Sequence, residues 1–252
     1  MTVRFSTGTR NGLAGNLGFG AMFNRGSLSI YSGTQPATAD SAVTGTLLGT
    51  VTLASGALTQ ETSATGSITI TGGTTSVATL TVGGFNIIPD AAVPYNTSTT
   101  QTAADLADAV NRAGIYTATV AGATVALKPP PGVGAAHNAY AVASTGSVTA
   151  TYSAMAGGVQ AVNGLTFTPA SSGVVSKVGV WSFNGLAAGT AGWFRLIGPG
   201  ADAGGIVASA PWLARVDGSV ATSGADLNMS NISITIGGPN TVDTFALTIP
   251  AQ

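Results

Sequence analysis

The sequence predicts a mainly β chain: an antiparallel β-sandwich or jelly-roll-like outer part, with a small α+β section between its two halves. Three observations predict it. Short runs of apolar residues alternate with threonine and serine at period two, as half-buried strands do. Thirty-six glycines and 11 prolines punctuate these runs along the whole length. One segment alone combines helical spacing with a start signal and a stop signal.

Taken in order, residues from about Thr9 to Phe23 place Leu13, Leu17, Gly20 and Ala21 at helical spacing. Gly12, Gly15, Gly18 and Gly20 each weaken a helix by roughly 1 kcal/mol relative to alanine, so residues 1–26 read equally as a short helix or an irregular N-terminal arm. From Ser27 the period becomes two, with Leu28 and Ile30 in one strand and Leu48, Val51 and Leu53 in the next. Pro36 and Gly45 keep the intervening loop from extending either strand. Gly66-Ser-Ile-Thr-Ile-Thr-Gly-Gly followed by Val77-Ala-Thr-Leu-Thr-Val-Gly-Gly, in which Ile68/Ile70 and Leu80/Val82 alternate with threonine, predicts a hairpin. The helix spans Thr102 to Arg112, capped by Ser98, Thr99 or Thr100 and ended by Gly114, with Leu106, Ala109, Val110 and Ala113 inward and Asp108 placed to pair with Arg112. Further strands fit Tyr116–Val120, Thr124–Lys128, Ala139–Ala143 and Val148–Tyr152. The last stretch predicts strands over Val174–Phe183, Gly192–Ile197, Trp212–Val220, Asn228–Ile236 and Val242–Ile249, with a turn or bulge at Asp217-Gly218.

Composition narrows the function classes. Charged residues make up 7% of the chain, against roughly 25% in an ordinary soluble domain. A chain this neutral either exposes Thr, Ser and Asn or covers its surface with partner subunits. The formal net charge is −1 and the six arginines are scattered, so no basic footprint for nucleic acid is expected. The chain has no cysteine, which excludes disulfides and thiol chemistry. No secretory signal is read at Met1-Thr-Val-Arg-Phe, and no apolar run approaches the ~18 residues of a membrane span, so no membrane partner is expected.

Tests for chemistry give no catalytic, cofactor or metal residues. The single histidine, His137, lacks companions for a triad or a metal site. Asp202, Asp217, Asp226 and Asp243 show no acid/base spacing, and Glu61 stands alone; turn chemistry accounts for Asp217 and Asp226. Asp105 and Asp108 lack the oxygen-dense loop that calcium requires. The glycine runs at Gly132 and Gly200 lack the lysine-serine/threonine ending of a phosphate loop. Trp181, Trp193 and Trp212, with Phe183 and Phe194, read as core anchors in preference to a sugar-binding strip. Lys128-Pro-Pro-Pro-Gly reads as a stiff exposed turn or a strand terminator.

Four segments read together carry a resemblance: Ser29-Ile-Tyr-Ser-Gly-Thr-Gln-Pro-Ala-Thr-Ala-Asp, Thr44-Gly-Thr-Leu-Leu-Gly-Thr, Ala188-Gly-Thr-Ala-Gly-Trp-Phe-Arg-Leu and Val216-Asp-Gly-Ser-Val-Ala-Thr-Ser-Gly-Ala-Asp-Leu-Asn. Together they resemble a small family of uncharacterised virion proteins of tailed bacteriophages and prophages, over roughly half the chain. The stretch from Ala64 through Ala104-Asp-Leu-Ala-Asp-Ala-Val-Asn to Met155-Ala-Gly-Gly-Val is similar to an accessory module of several phage structural proteins. The resemblance implies a virion-attachment β-domain of residues 27–62 plus 161–252, with residues 63–160 inserted into one of its loops. It further implies a non-enzymatic virion component, a capsid decoration or a tail-associated protein, assembled in the host bacterial cytoplasm. Its expected partners are copies of itself and other virion proteins; the alternative is a host-surface or carbohydrate-binding accessory contacting host glycan.

Overall fold

The computed structural model describes residues 3–15, 17–206 and 213–248. Elements follow in chain order: β1 (Arg4–Phe5), α1 (Thr7–Ala14), α2 (Phe19–Phe23), β2 (Ser27–Ser32) and β3 (Leu47–Leu53). Next come β4 (Thr65–Val82), β5 (Phe85–Asn86), β6 (Val93–Pro94), α3 (Thr99–Ala113), β7 (Thr117–Ala121), β8 (Thr124–Lys128), a single 3-10 turn (Gly134–His137) and β9 (Val142–Ala156). The last third holds β10 (Thr166–Phe167), β11 (Val174–Val178), β12 (Trp181–Asn184), β13 (Gly189–Ile197), β14 (Arg215–Ala221), β15 (Leu227–Met229), β16 (Ser233–Ile234) and β17 (Pro239–Thr248). The chain is mainly β, with 47% strand and 14% helix. It divides into two compact units, Met1–Glu61 with Ala161–Gln252, and Thr62–Gln160.

In the first unit the ladder runs β14-β13-β2-β3-β12-β17, and β15 joins β17 back to β14, so seven strands close on themselves. Where the sequence reading expected a sandwich or jelly roll, this sheet is a closed barrel. The closing pairs are Val220 with Leu227, in parallel, and Leu227 with Phe245, antiparallel. Leu28, Ile30, Phe183, Phe194, Leu196 and Phe245 lie in the buried cluster of this unit. Phe194 meets Phe245 edge-on at 5.7 Å, and Trp181 meets Phe167 edge-on at 5.2 Å, the offset geometry that aromatic quadrupoles favour.

The N-terminal stretch is not an irregular arm. Ser6 caps α1 by accepting from Thr9 N–H at 3.1 Å. The same Ser6 oxygen accepts from the Arg215 amide at 3.0 Å, which ties α1 to β14. Met22 and Phe23 of α2 are fully buried in the barrel cluster.

Asp217-Gly218 is not a turn either. It lies inside β14, where Gly218 stands opposite Phe194 and a Cβ would come within 2.6 Å of that ring. The glycine makes room for an aromatic ring; it is not there for left-handed backbone. The Val174–Phe183 run is broken at Gly179, whose φ is +76°, giving β11 and β12. Trp212 and Ile249 of the predicted strands lie outside the described residues.

In the Thr62–Gln160 unit, the two runs expected to form a hairpin, around Ile68/Ile70 and Leu80/Val82, lie instead in one 18-residue strand, β4. Neither Gly72 nor Gly73 has positive φ, and a tight two-residue hairpin needs it. β4 runs antiparallel to β9, and the ladder absorbs extra residues in bulges, the largest between Gly73 and Val77. Along its first half β4 lies between β8 and β9, giving the local order β9-β4-β8-β7. The runs Ala139–Ala143 and Val148–Tyr152 likewise belong largely to one strand, β9, which passes through Gly146 at φ +117°. α3 starts at Ser98, whose Oγ accepts from Gln101 N–H at 3.1 Å, and stops at Gly114 with φ +70°. Leu106, Val110 and Ala103 bury against Ile68, Val125 and Leu127.

Candidate functional site

The most built constellation of charge lies on strands β13 and β14. Alternation sends Phe194 and Leu196 into the barrel cluster, and Val216 and Val220 likewise. The other face carries Trp193, Arg195, Arg215 and Asp217, all at most 2% exposed. Arg195 grips Asp217 with two bonds, Nε to Oδ1 and Nη2 to Oδ2, both 2.7 Å. Arg215 grips Asp202 in the same forked way, Nε to Oδ2 at 2.6 Å and Nη2 to Oδ1 at 2.5 Å. The remaining Nη1 groups of both arginines donate to the Ser41 carbonyl, at 3.0 and 3.3 Å, and Arg215 also reaches Ala39.

These bonds strap the loop between β2 and β3 onto the outside of the barrel wall. Asp40 secures the loop again by accepting from Thr7 N–H at 2.9 Å and from the Thr7 hydroxyl at 2.6 Å, and Arg4 donates to the Pro36 carbonyl. Above the clamp, Tyr31 stacks on Trp193 at 4.5 Å, and the Arg195 guanidinium lies 5.5 Å from the Trp193 ring centre.

The clamp decides what its carboxylates can do. Burial pushes Asp202 up, but the bonds from Arg215 and Gly204 and the charges of Arg215 and Arg195 outweigh it, so this group sits below the usual carboxylate range. For Asp217 burial prevails over the bonds from Arg195 and the charges of Arg195, Arg215 and Arg4, and the group is raised. Both carboxylates spend both oxygens on a guanidinium and are no more than 5% exposed. Neither is open to a substrate proton.

The other predicted candidates are dispersed. Asp226 accepts from Ser219 N–H and Oγ at 2.9 and 2.8 Å, while Asp243 is an exposed residue of β17. Glu61 is buried at the end of the first segment of its unit. In the Thr62–Gln160 unit, Asp105 is occupied by Gln101 and Asn96 at 2.8 and 3.3 Å. Asp108 lines a shallow cavity of about 340 Å³ with Asp90, Asp105 and Arg112. The expected Asp108–Arg112 ion pair is not made, whereas both pairs of the clamp are.

His137 closes the 3-10 turn between two tyrosine rings, 5.7 Å from Tyr116 and 4.7 Å from Tyr140. Burial lowers the His137 pKa, and burial first, then Tyr140, pushes Tyr116 up to about 12. The Tyr116 hydroxyl and Nδ1 of His137 share a hydrogen bond of 2.6 Å, and at neutral pH both groups are uncharged. Pro131-Gly132 forms a turn after β8, and Gly134 opens the 3-10 turn. Trp181, Phe183 and Phe194 anchor the barrel core, Trp193 is buried outside it, and Trp212 lies outside the described residues.

No family model, curated protein or solved structure matches this chain.

The clamp arginines were missed because they are 20 residues apart and look scattered. A signal was present: in Trp193-Phe-Arg-Leu-Ile and Arg215-Val-Asp-Gly-Ser, charged residues alternate with core residues inside otherwise apolar strands. Cross-strand placement of opposite charges follows from that alternation.

Proposed function

We propose that this chain is a non-enzymatic structural protein of a tailed-phage particle, a capsid decoration or a tail-associated component, working through subunit contacts. In this reading the closed β-domain, expected as a sandwich-like or jelly-roll-like attachment module, fixes the chain to the particle, and the Thr62–Gln160 unit is the contact module. The supporting observation is the fate of the charge. Of 8 basic and 9 acidic residues, four are consumed in buried pairs and Glu61 is buried, which leaves twelve for the whole surface. A free monomer normally keeps itself apart with far more surface charge. Leu186, Ile236 and Val180 are, in addition, more than half exposed. Surfaces of this kind fit copies of the same chain and other virion proteins, with the virion as the location.

The resemblance of the Ser29–Asp40 and Val216–Asn228 segments to phage virion proteins supports the setting. Quantitative mass spectrometry of purified particles tests it. Hundreds of copies would indicate capsid decoration, a few to dozens a tail component, and absence from particles would overturn the proposal.

One observation favours a second reading, a host-surface or carbohydrate-binding accessory. Phe85, Tyr140 and Tyr152 of the Thr62–Gln160 unit are 62%, 41% and 41% exposed, and exposed rings suit sugar faces. Glycan-array binding that disappears on replacing these rings with alanine would favour it.

A further inference from the structure

The sheet β9-β4-β8-β7 has two edges, and they are treated differently. On the β7 edge, the side chain of Asn111 from α3 imitates a neighbouring strand. Its Oδ1 accepts from Ala118 N–H at 2.8 Å, and its Nδ2 donates to the Ala118 carbonyl at 3.0 Å. Such a plug blunts the pairing capacity that any edge strand carries.

The β9 edge has no such plug. β9 is 15 residues long and β4 is its one strand neighbour among the described residues. Ile70 N–H bonds the Ala123 carbonyl on the β8 side at 2.9 Å. Alternation along β4 therefore turns Ser67 and Thr69, with their partners Ser153 and Thr151, toward each other. The N–H and C=O groups of Ala150 and Tyr152 point away from β4, to the side on which no strand pairs with them among the described residues. The Ala139 and Tyr140 backbone closes this edge only from Met155 onward. The segment Val148-Thr-Ala-Thr-Tyr-Ser-Ala is rich in residues that favour strands and holds no proline. No Asp, Glu, Lys or Arg occurs anywhere from 129 to 176.

We propose that the β9 edge is an interaction surface for a second copy of this chain, paired antiparallel about a two-fold axis through Thr151. An isologous contact sets residues near their own copies, so a charge on this edge would repel itself, and this edge carries none. With Thr151 on the axis, Ala150 and Tyr152 exchange backbone hydrogen bonds with the partner's Tyr152 and Ala150. A small side chain then faces a large one, and Thr149 faces Ser153 of the partner subunit. The pairing deepens the subunit-contact reading and rests on it for its purpose; its chemistry comes from the bare strand edge.

Sedimentation equilibrium of the full chain tests it, using Thr151→Lys as the blocking variant and Thr119→Lys on the plugged β7 edge as the control. Both positions are exposed. The wild type and T119K are expected at twice the 24.5 kDa chain mass. T151K, which sets two ammonium groups face to face, is expected as the monomer, with dimer affinity at least ~10-fold weaker. Should T151K fail to fold by circular dichroism, Ser153→Lys places the same charge two pairs from the axis, opposite Thr149 of the partner subunit, and is expected to weaken the edge pairing likewise. A monomeric wild type would overturn the proposal. A lysine variant that stays associated would overturn it too, by placing the contact elsewhere while leaving the subunit-contact reading standing.

Discussion

The two units build β-cores by different means. Met1–Glu61 with Ala161–Gln252 contains all three tryptophans and seven of the eight phenylalanines, whereas Thr62–Gln160 contains one exposed phenylalanine and four tyrosines. The first closes its sheet into a barrel and buries two ion pairs on the barrel wall. The second packs Ile, Leu, Val and Ala under one helix and, among the described residues, leaves β9 without a second strand neighbour. The barrel unit joins most of its strand edges, while the other unit keeps an edge strand with one strand neighbour among the described residues. The closed sheet and the bare strand edge thus fall on different parts of the chain.

The contrast breaks first at the clamp. Asp217→Ala strands the Arg195 guanidinium in a buried site, a change that costs about 3–5 kcal/mol. Replacing both partners, with Arg195→Met and Asp217→Leu, is expected to restore most of that loss. Tryptophan fluorescence in urea reads the barrel unit alone, because every tryptophan lies in it. An equally large loss in the double variant would mean that the pair is net stabilising, not merely costly to break.

A smaller effect is expected in the second unit. Asn111→Ala removes two hydrogen bonds to nearly buried Ala118, at about 0.5–1.5 kcal/mol each. Amide exchange at Ala118 should quicken and the tyrosine near-ultraviolet signal should melt earlier, while tryptophan fluorescence stays unchanged. Loss of the tryptophan transition as well would show that the units do not unfold separately.

The smallest effects concern pH. His137 is held neutral by burial, so its folded pKa lies below the ordinary 6.5. Its stabilising share is complete above 6.5 and is lost as the pH falls from there through the lower folded value. Tyr116 is shifted the other way, from 10 to about 12. Its share is complete below pH 10 and is lost as the pH rises toward 12. Ultraviolet titration of tyrosinate should show Tyr116 ionising late, near the upper value, and Tyr116→Phe should remove that step while leaving the raised ionisation of half-buried Tyr31 in place.

Much of this architecture was legible in period-two alternation and in the caps of α3, Ser98 and Gly114, because those signals are local. The units divide at Thr62 and Gln160, beside the stretch of about 63–160 that the resemblance marked off. Asp217-Gly218 misled because glycine serves two needs: left-handed turns, or space for a neighbour such as Phe194. Closure of the barrel depends on Leu227 meeting both Val220 and Phe245, a long-range pairing with no local signature. The clamp and the bare β9 edge were hidden for the same reason, since each is a relation between distant strands.

Hydrogen exchange measured by mass spectrometry on the full chain, free at low concentration and then in assembled particles, tests subunit contact most directly. The outward amides of Ala150 and Tyr152 should exchange quickly when free and become protected on assembly, while those of Thr151 and Ser153, bonded to β4, and those around Arg195, Arg215 and Asp217 stay protected throughout. If no segment gained protection on assembly, the sparsely charged surface would not be a contact surface, and the proposed role would fail.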